Sequence, residues 1–235
     1  MRQPLALAYI ALAAACGGAR GPESAPSPTA RAARAAVIRG TPAIPAGWTL
    51  EAAPVTAPKA MVVSAHPLAS AAGIDIIKQG GNAIDAAITV GFALAVILPD
   101  AGNIGGGGFI VHRSAAGQVR AIDYRETAPG RASHDMYLDS AGNVTDQSLT
   151  GHLAAGVPGS VAGLYEAWKR QGSLPWATLL APAIRLAREG HRIDAERSRD
   201  IASDSGRLAR FPASRRQFLP GGYAPPPGTL WKQPD

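Results

Sequence analysis

The sequence predicts a mixed α/β (α+β) domain preceded by a leader and a proline-rich tether. Three observations point to this class. An apolar helical segment covers residues 82–98, two short strand-like segments follow a run of four glycines, and two later helices each begin at a proline. With 46% hydrophobic and 17% charged residues among 235, the chain has enough apolar material to form a core.

The N-terminus predicts export. A short positive start precedes an apolar run, residues 5–15, that is too short to span a bilayer, so residues 1–15 are predicted to be a signal peptide. Small residues precede Cys16, the only cysteine, and the segment resembles a bacterial lipoprotein signal in which Cys16 is lipidated; Leu12 lies one place earlier than the usual leucine. The alternative is an ordinary secretory signal with an Ala-x-Ala cleavage site. Both interpretations predict an exported protein, periplasmic or anchored at the outer membrane, and only the first gives it a contact with the membrane, through the lipid.

Residues 16–58 are predicted to form a tether. Proline recurs there among alanine, serine and glycine, and no apolar period survives. Such a segment cannot bury enough surface to offset the entropy lost on ordering. The folded domain is therefore expected to cover residues 59–235, beginning with a short β-like run at residues 59–64.

Two helices are predicted next. The first covers residues 67–79, with Ile74 and Ile77 on one face and a glycine pair ending it. The second covers residues 82–98, with Asn82 as N-cap, and it is apolar nearly all round, as expected of a buried central helix. Asp85 lies one turn inside, where a carboxylate suits the positive end of the helix, so a structural role is favoured over a catalytic one.

The glycine run (residues 105–108) predicts a close backbone approach or positive φ, because consecutive glycines lose backbone entropy and add no packing. It precedes a strand, and no Gly-Lys-Ser/Thr follows it, which argues against a phosphate-binding loop. Residues 109–113 and 119–124 are predicted to be strands joined by a turn at 114–117.

The remaining elements are mostly helical. Helices are predicted at residues 158–170 and 175–189, with glycine after the second, and a weaker one at 195–210. Residues 221–228 are predicted to be loop. No closing element precedes Asp235, so the sequence is expected to be a piece of something longer.

Several classes of function are disfavoured. The net charge of +6 is spread thinly, without a nucleic-acid-binding module, so no nucleic acid is expected as a partner. The histidines lack metal-ligand spacing, one cysteine cannot form an intrachain disulfide or a cysteine-based metal site, and no Gly-x-Ser-x-Gly elbow is present. We therefore expect no metal, no cofactor and no catalytic nucleophile within these residues.

Arg125 is the candidate binding residue. Its planar, permanently charged fork suits a substrate carboxylate. Asp123 and Glu126 are its neighbours, so a structural ion pair is the alternative. On a continuing strand, residues 123 and 125 would share a face and residue 126 would point away. Taken alone, the residues favour the structural role.

An ordered set of motifs resembles the gamma-glutamyltransferases over about residues 59–200. The motifs are HPLASxAG at 66–73, GGNAIDAA at 80–87, GNIGGGGF at 102–109, DYRETAP at 123–129, MYLD at 136–139 and GVPGSVAG at 156–163. The resemblance implies an N-terminal-nucleophile hydrolase fold, an αββα four-layer sandwich that is incomplete in this chain.

The resemblance also implies an activity. In that family a precursor cleaves itself and frees a threonine at the start of a small subunit. This threonine attacks the γ-glutamyl amide of glutathione or a related compound, with its own α-amine as base, and the acyl group passes to water or to an amino-acid or peptide acceptor. The arginine that matches Arg125 grips the α-carboxylate of the γ-glutamyl group, which reverses the structural preference above.

The nucleophile is expected downstream of residue 235, because no threonine here, including Thr127 and Thr150, matches the cleavage site. These residues alone are therefore predicted to be inactive. Two alternatives stay open: an acylase of the same fold acting on another amide, such as a β-lactam acylase, and a non-catalytic lipoprotein from a truncated gene.

Overall fold

The computed structural model describes residues 55–102 and 104–234. One compact unit covers Thr56–Asp235. The predicted signal peptide, Cys16 and the tether as far as residue 54 lie outside the described residues. The helices and strands are, in chain order, α1 (Pro67–Lys78), α2 (Ala83–Ile97), β1 (Phe109–Arg113), β2 (Val119–Asp123), α3 (Ser160–Gln171), α4 (Trp176–Glu189), β3 (His191–Arg192), α5 (Ala195–Ser203), α6 (Ser205–Leu208), α7 (Pro212–Phe218) and β4 (Leu230–Trp231).

Helix α1 packs against α2 through small side chains. Ala69 and Ala72 of α1 meet Ala93 and Ile97 of α2 in one buried cluster. Short side chains allow the two helix axes to approach closely, which explains the alanine-rich sequence of both helices. The buried face of α1 includes Ile76, whereas the predicted Ile74 and Ile77 are only half-buried.

Helix α2 is the central helix, as its apolar sequence predicted. Ile84, Ile88 and Phe92 pack with residues of α3 and α4 in the largest core cluster. Each fully buried aliphatic or aromatic side chain of this kind contributes about 1.5–3 kcal/mol relative to an exposed one. The cluster therefore accounts for much of the stability of the unit.

The N-terminus of α2 confirms the predicted capping role of Asp85. Asn82 accepts hydrogen bonds from the main-chain N–H groups of Ile84 and Asp85, and Asp85 accepts one from the N–H of Asn82, forming a capping box. Asp85 is fully buried and also accepts hydrogen bonds from the N–H and hydroxyl of Ser173, in the loop before α4. One carboxylate thus links the start of α2 to the α3–α4 connection.

Strands β1 and β2 form the predicted antiparallel hairpin, with Phe109 opposite Asp123 and Arg113 opposite Val119. Ile110 and Ile122 form a facing pair that packs against the core around α2. The alternate residues, including Phe109 and Val111, are exposed. This alternation is the expected pattern of a hairpin with one covered face.

The last third of the unit differs from prediction. The predicted helix at 195–210 is broken into α5 and α6 at Asp204, and α7 follows where no helix was predicted. Strand β4 pairs with β3, placing Trp231 opposite His191. These elements enclose a separate cluster of Ile193, Ile201, Leu219 and Trp231.

Two further boundaries were wrong. Residues 59–64 form no strand, because these residues have no backbone ladder partner in the described part of the chain. Helix α3 begins at Ser160 rather than Pro158, since Gly159 occupies the N-cap position. Among the described residues, the sheets are two two-stranded ladders, and no helix is both long and apolar enough to cross a membrane.

Candidate substrate-binding site

Two segments approach the glycine run (residues 105–108): the residues that follow β2 and the start of α3. The carbonyl of Gly106 accepts hydrogen bonds from the N–H groups of Gly159 (2.9 Å) and Ser160 (3.0 Å), which satisfies the uncapped start of α3. A Cβ at Gly107 would lie 2.6 Å from the Tyr124 carbonyl oxygen and 2.8 Å from the Arg125 Cα. Positive φ is found at seven described glycines, none of them in this run. Close approach is therefore the reason for the glycine at position 107.

Arg125 lies just beyond β2. The carboxylate of Asp123 accepts a hydrogen bond of 3.0 Å from the main-chain N–H of Arg125. The guanidinium stands over the ring of Phe109, with Cζ 5.7 Å from the ring centroid, and its Nε lies 3.6 Å from a carboxylate oxygen of Glu126. The side chain is 64% exposed. Most of its donor groups are therefore open to an incoming anion.

The predicted facing of residues 123, 125 and 126 was wrong. Because β2 ends at Asp123, strand alternation does not continue to Glu126. Asp123 contacts the main chain of Arg125, whereas Glu126 is the residue beside the guanidinium. Asp123 thus holds the backbone and Glu126 lies beside Nε, and no residue that the structure describes hydrogen-bonds to the two outer nitrogens of the fork.

An open cavity of about 450 Å³ adjoins this segment. It lies between α2, the glycine run, β1 and the start of α3. Phe109, Tyr124 and Glu126, which flank or contact Arg125, line one side, and Ser160 lines another. Burial raises the pKa of Tyr124, which further disfavours ionisation of its hydroxyl. The cavity presents main-chain groups, a hydroxyl and a carboxylate near the guanidinium.

An ion network around one buried arginine holds the loop that leads into the glycine run. Arg197, with only a tenth of its side chain exposed, pairs with Asp100, Glu196 and Asp200. Burial disfavours its charge, but the hydrogen bond and charges of these carboxylates outweigh that and raise the pKa of Arg197. Asp100 lies three residues after the end of α2, so the network links the segment that leaves α2 to helix α5.

The other predicted residues add nothing to this site. The main chain of Thr127 pairs with that of Val157 in an isolated bridge, and neither Thr127 nor Thr150 lines the cavity. Neither threonine is therefore placed as a nucleophile. Among the described residues, no group of three or more His, Cys, Asp or Glu side chains could hold a metal ion. Cys16 lies outside the described residues.

Sequence reasoning missed the parts played by Glu126, Gly159 and Gly163; a Cβ at Gly159 would lie 1.9 Å from the Tyr124 carbonyl oxygen, and one at Gly163 would lie 2.2 Å from the Tyr124 Cβ. Glu126 was assigned to the wrong face, and the segment 156–163 was recognised as a motif without a structural role. A signal was present: paired glycines at 159 and 163, four residues apart, lie on one face of a helix and admit a large neighbour. Which neighbour it is could not be read from the sequence.

Comparison with known proteins supports the resemblance. A family model described as gamma-glutamyltranspeptidase matches residues 69–235. The glutathione hydrolase proenzyme of Escherichia coli (strain K12) is 48% identical over 149 residues, covering 63% of this chain and 26% of that protein. The acylase ACY 1 proenzyme of Pseudomonas sp. (strain SE83) is 43% identical over 197 residues, covering 81% of this chain and 35% of that protein.

Solved structures agree. The gamma-glutamyltranspeptidase of Helicobacter pylori superposes with a TM-score of 0.75 at 43% identity, over 77% of this chain and 52% of that chain. This chain spans about a quarter to a third of the length of the curated relatives above.

Proposed function

Because the chain belongs to the gamma-glutamyltranspeptidase family, we propose that it forms part of an enzyme that cleaves γ-glutamyl amides, with glutathione as the representative donor. The likeness to the solved H. pylori structure confirms the predicted fold class, a mixed α+β unit of the N-terminal-nucleophile hydrolases. The observation that carries the proposal is Arg125. Its exposed guanidinium is held by its neighbours beside an open cavity, with its outer donors free.

Arg125 binds the donor. The α-carboxylate of a γ-glutamyl group accepts two parallel hydrogen bonds from the planar fork, which fixes the orientation as well as the position of the group. Glu126 and the Phe109 ring limit the directions in which the fork can point. With the α-carbon end anchored, the γ-amide lies at a fixed distance from Arg125, where a nucleophile can meet it.

The nucleophile comes from outside residues 1–235. It is the N-terminal threonine of a small subunit released from the same precursor, with the threonine's own α-amine as base. The threonine oxygen forms an ester with the γ-carbonyl and the amine of the donor leaves. Water, an amino acid or a peptide then takes the acyl group. The word proenzyme in the names of both curated relatives supports maturation by cleavage.

Export belongs to the same proposal. The apolar segment 5–15 directs the protein out of the cytoplasm, and Cys16 carries a lipid that anchors it in the periplasm or at the outer membrane. Labelling cells with a radioactive or alkyne-bearing fatty acid tests this step. Label in the unsubstituted protein but not in Cys16→Ser is expected, and equal label in both would reject the anchor.

Steady-state kinetics of Arg125→Lys test the assigned role of this residue. Lysine keeps the charge but loses the two-pronged geometry. In the complete protein, kcat/KM for γ-glutamyl p-nitroanilide should fall roughly ten- to a hundredfold, equivalent to about 1.4–2.8 kcal/mol. Arg120→Lys, on the same hairpin, is the control and should leave the kinetics unchanged. Equal kinetics in all three proteins would return Arg125 to a structural role.

A second candidate is an acylase of the same fold that acts on another amide, such as an acylated β-lactam. The favouring observation is that the match to the acylase ACY 1 proenzyme covers 81% of the chain, a larger share than the glutathione hydrolase match. Parallel assays with γ-glutamyl p-nitroanilide and an acylated β-lactam separate the two. Turnover of the β-lactam alone would favour the acylase.

A further inference from the structure

The ring of Tyr124 packs against two glycines that are distant in sequence. A Cβ at Gly163 would lie 2.2 Å from both Cβ and Cγ of Tyr124, and a Cβ at Gly108 would lie 3.0 Å from the Tyr124 hydroxyl oxygen. The ring therefore runs from α3 to the glycine run; only glycine leaves it room at position 163, and a Cβ at position 108 would make a tight contact with its hydroxyl end. Tyr124 is half-buried, and that burial is what raises its pKa.

The main chain of Tyr124 is held equally closely. Its N–H donates to the Gly108 carbonyl at 3.0 Å. Its own carbonyl oxygen would lie 1.9 Å from a Cβ at Gly159. Three chain segments, namely the glycine run, β2 and the start of α3, thus converge on one residue.

Arg125 follows Tyr124 directly, so the place of its main chain depends on how Tyr124 is held, whereas Phe109 and Glu126 limit only the direction of the guanidinium. The Arg125 side chain is mostly exposed, and its carboxylate neighbour Glu126 is the next residue in sequence. Glu126 passes close to Gly107 and Gly156, so the main chain is anchored after Arg125 as well, and Tyr124 is the anchor on the other side. Tyr124 is the residue of this segment with an aromatic side chain packed on another element, α3.

We infer that Tyr124 is a positioning residue: its ring, seated between Gly163 and Gly108, sets the place of the Arg125 fork and so the preference for donors that carry an α-carboxylate. This inference rests on the proposed function and deepens it. An ångström-scale displacement of a substrate-holding group is enough to cost on the order of a hundredfold in rate. The glycines contribute by admitting the ring, not by contacting the donor.

The test compares two donors in the complete protein. One is γ-glutamyl p-nitroanilide, and the other is 4-aminobutyryl p-nitroanilide, which lacks the α-carboxylate but keeps the scissile amide. Tyr124→Leu and Gly163→Ala should lower the ratio of kcat/KM for the two anilides roughly 10- to 100-fold, through KM of the first. Tyr124→Phe keeps the ring and should rescue the ratio. Gly206→Ala, whose added Cβ meets no heavy atom within 4 Å, is the matched control.

A purely structural role for Tyr124 would lower turnover of both anilides equally and leave the ratio unchanged, which would overturn the inference. If Gly163→Ala does not fold, Tyr124→Leu against Tyr124→Phe decides. No γ-glutamyl turnover by the unsubstituted protein would instead overturn the proposed function. A ratio that falls in Arg125→Lys but not in the Tyr124 and Gly163 variants would reject this inference alone.

Discussion

Asp85 and Arg125 show how one kind of group, a charge near the end of an element, serves two purposes. Asp85 is fully buried, and its carboxylate is occupied by Asn82 and Ser173. Arg125 is exposed, and its outer donors are open. Burial with satisfied partners marks a structural charge, whereas exposed donors beside a cavity are what the proposed binding role of Arg125 requires.

Asp85→Ala is expected to destabilise the protein by about 2–4 kcal/mol, because it leaves the N–H groups of Asn82 and Ser173 unpaired. Urea unfolding of the complete protein measures the change. Asp75→Ala is the control, because Asp75 forms only an exposed pair with Lys78, and it should change stability by less than about 0.5 kcal/mol. Similar losses in both variants would contradict the capping account.

His191 should make stability depend on pH. It is buried, both ring nitrogens have no hydrogen-bond partner among the described residues, and burial followed by the nearby His66 lowers its pKa. The folded state therefore resists protonation that the unfolded state accepts. The contribution of neutral His191 to the free energy of unfolding is fully present above pH 6.5 and declines as the pH falls below that value.

Urea unfolding between about pH 5 and 8 tests this. The range extends about one to two units either side of an ordinary histidine pKa. His191→Leu should flatten the acid side of the stability curve but not abolish the slope, because burial also lowers the pKa of His66. His134→Gln, at a side chain 97% exposed, should leave the curve unchanged. A curve that keeps its full slope in His191→Leu would reject the account.

At the scale of elements, Gly190 shows why α4 ends where it does. Its φ is +89°, and a Cβ would lie 2.7 Å from the Trp231 carbonyl oxygen. Gly190→Ala should therefore cost about 1–3 kcal/mol through backbone strain, before any clash is counted. Gly206→Ala, in the helical segment α6, should be neutral or slightly stabilising. Equal unfolding free energies for the two variants would contradict this explanation.

Elements with local signals could be predicted from the sequence. Asn82 was predicted correctly as the N-cap, and so was the 114–117 turn that joins strands adjacent in sequence, whereas the reciprocal hydrogen bond of Asp85 that completes the capping box was not predicted. The break at Asp204 and the pairing of β3 with β4 were missed. In β3–β4, Trp231 meets His191 across 40 positions, and no local pattern encodes such a partner.

The candidate site divides in the same way. The glycine run predicted a close approach, but the segments that approach it, residues 124–126 and 159–160, are distant in sequence. The role of Arg125 was predicted through the family motif, whereas the orientation of its side chain depends on where β2 ends. A glycine run in a single sequence shows that another segment approaches the backbone closely, but it does not show which segment that is.

At the scale of the whole molecule, the proposal makes residues 1–235 one part of a larger catalytic unit. The unit described here holds a core of its own and Arg125, the proposed donor-binding residue, and the nucleophile is assigned to a segment outside it. Purified residues 1–235 should therefore release no product from γ-glutamyl p-nitroanilide. Product formation by this chain alone would contradict the assignment.

The most direct measurement is to read the gene beyond codon 235, express its complete product, and assay γ-glutamyl p-nitroanilide while following the chain on a denaturing gel. The account predicts two fragments and turnover of the anilide. A chain that stays intact and inert, or a stop codon directly after Asp235, would contradict the account and leave a non-catalytic protein with the fold of the family.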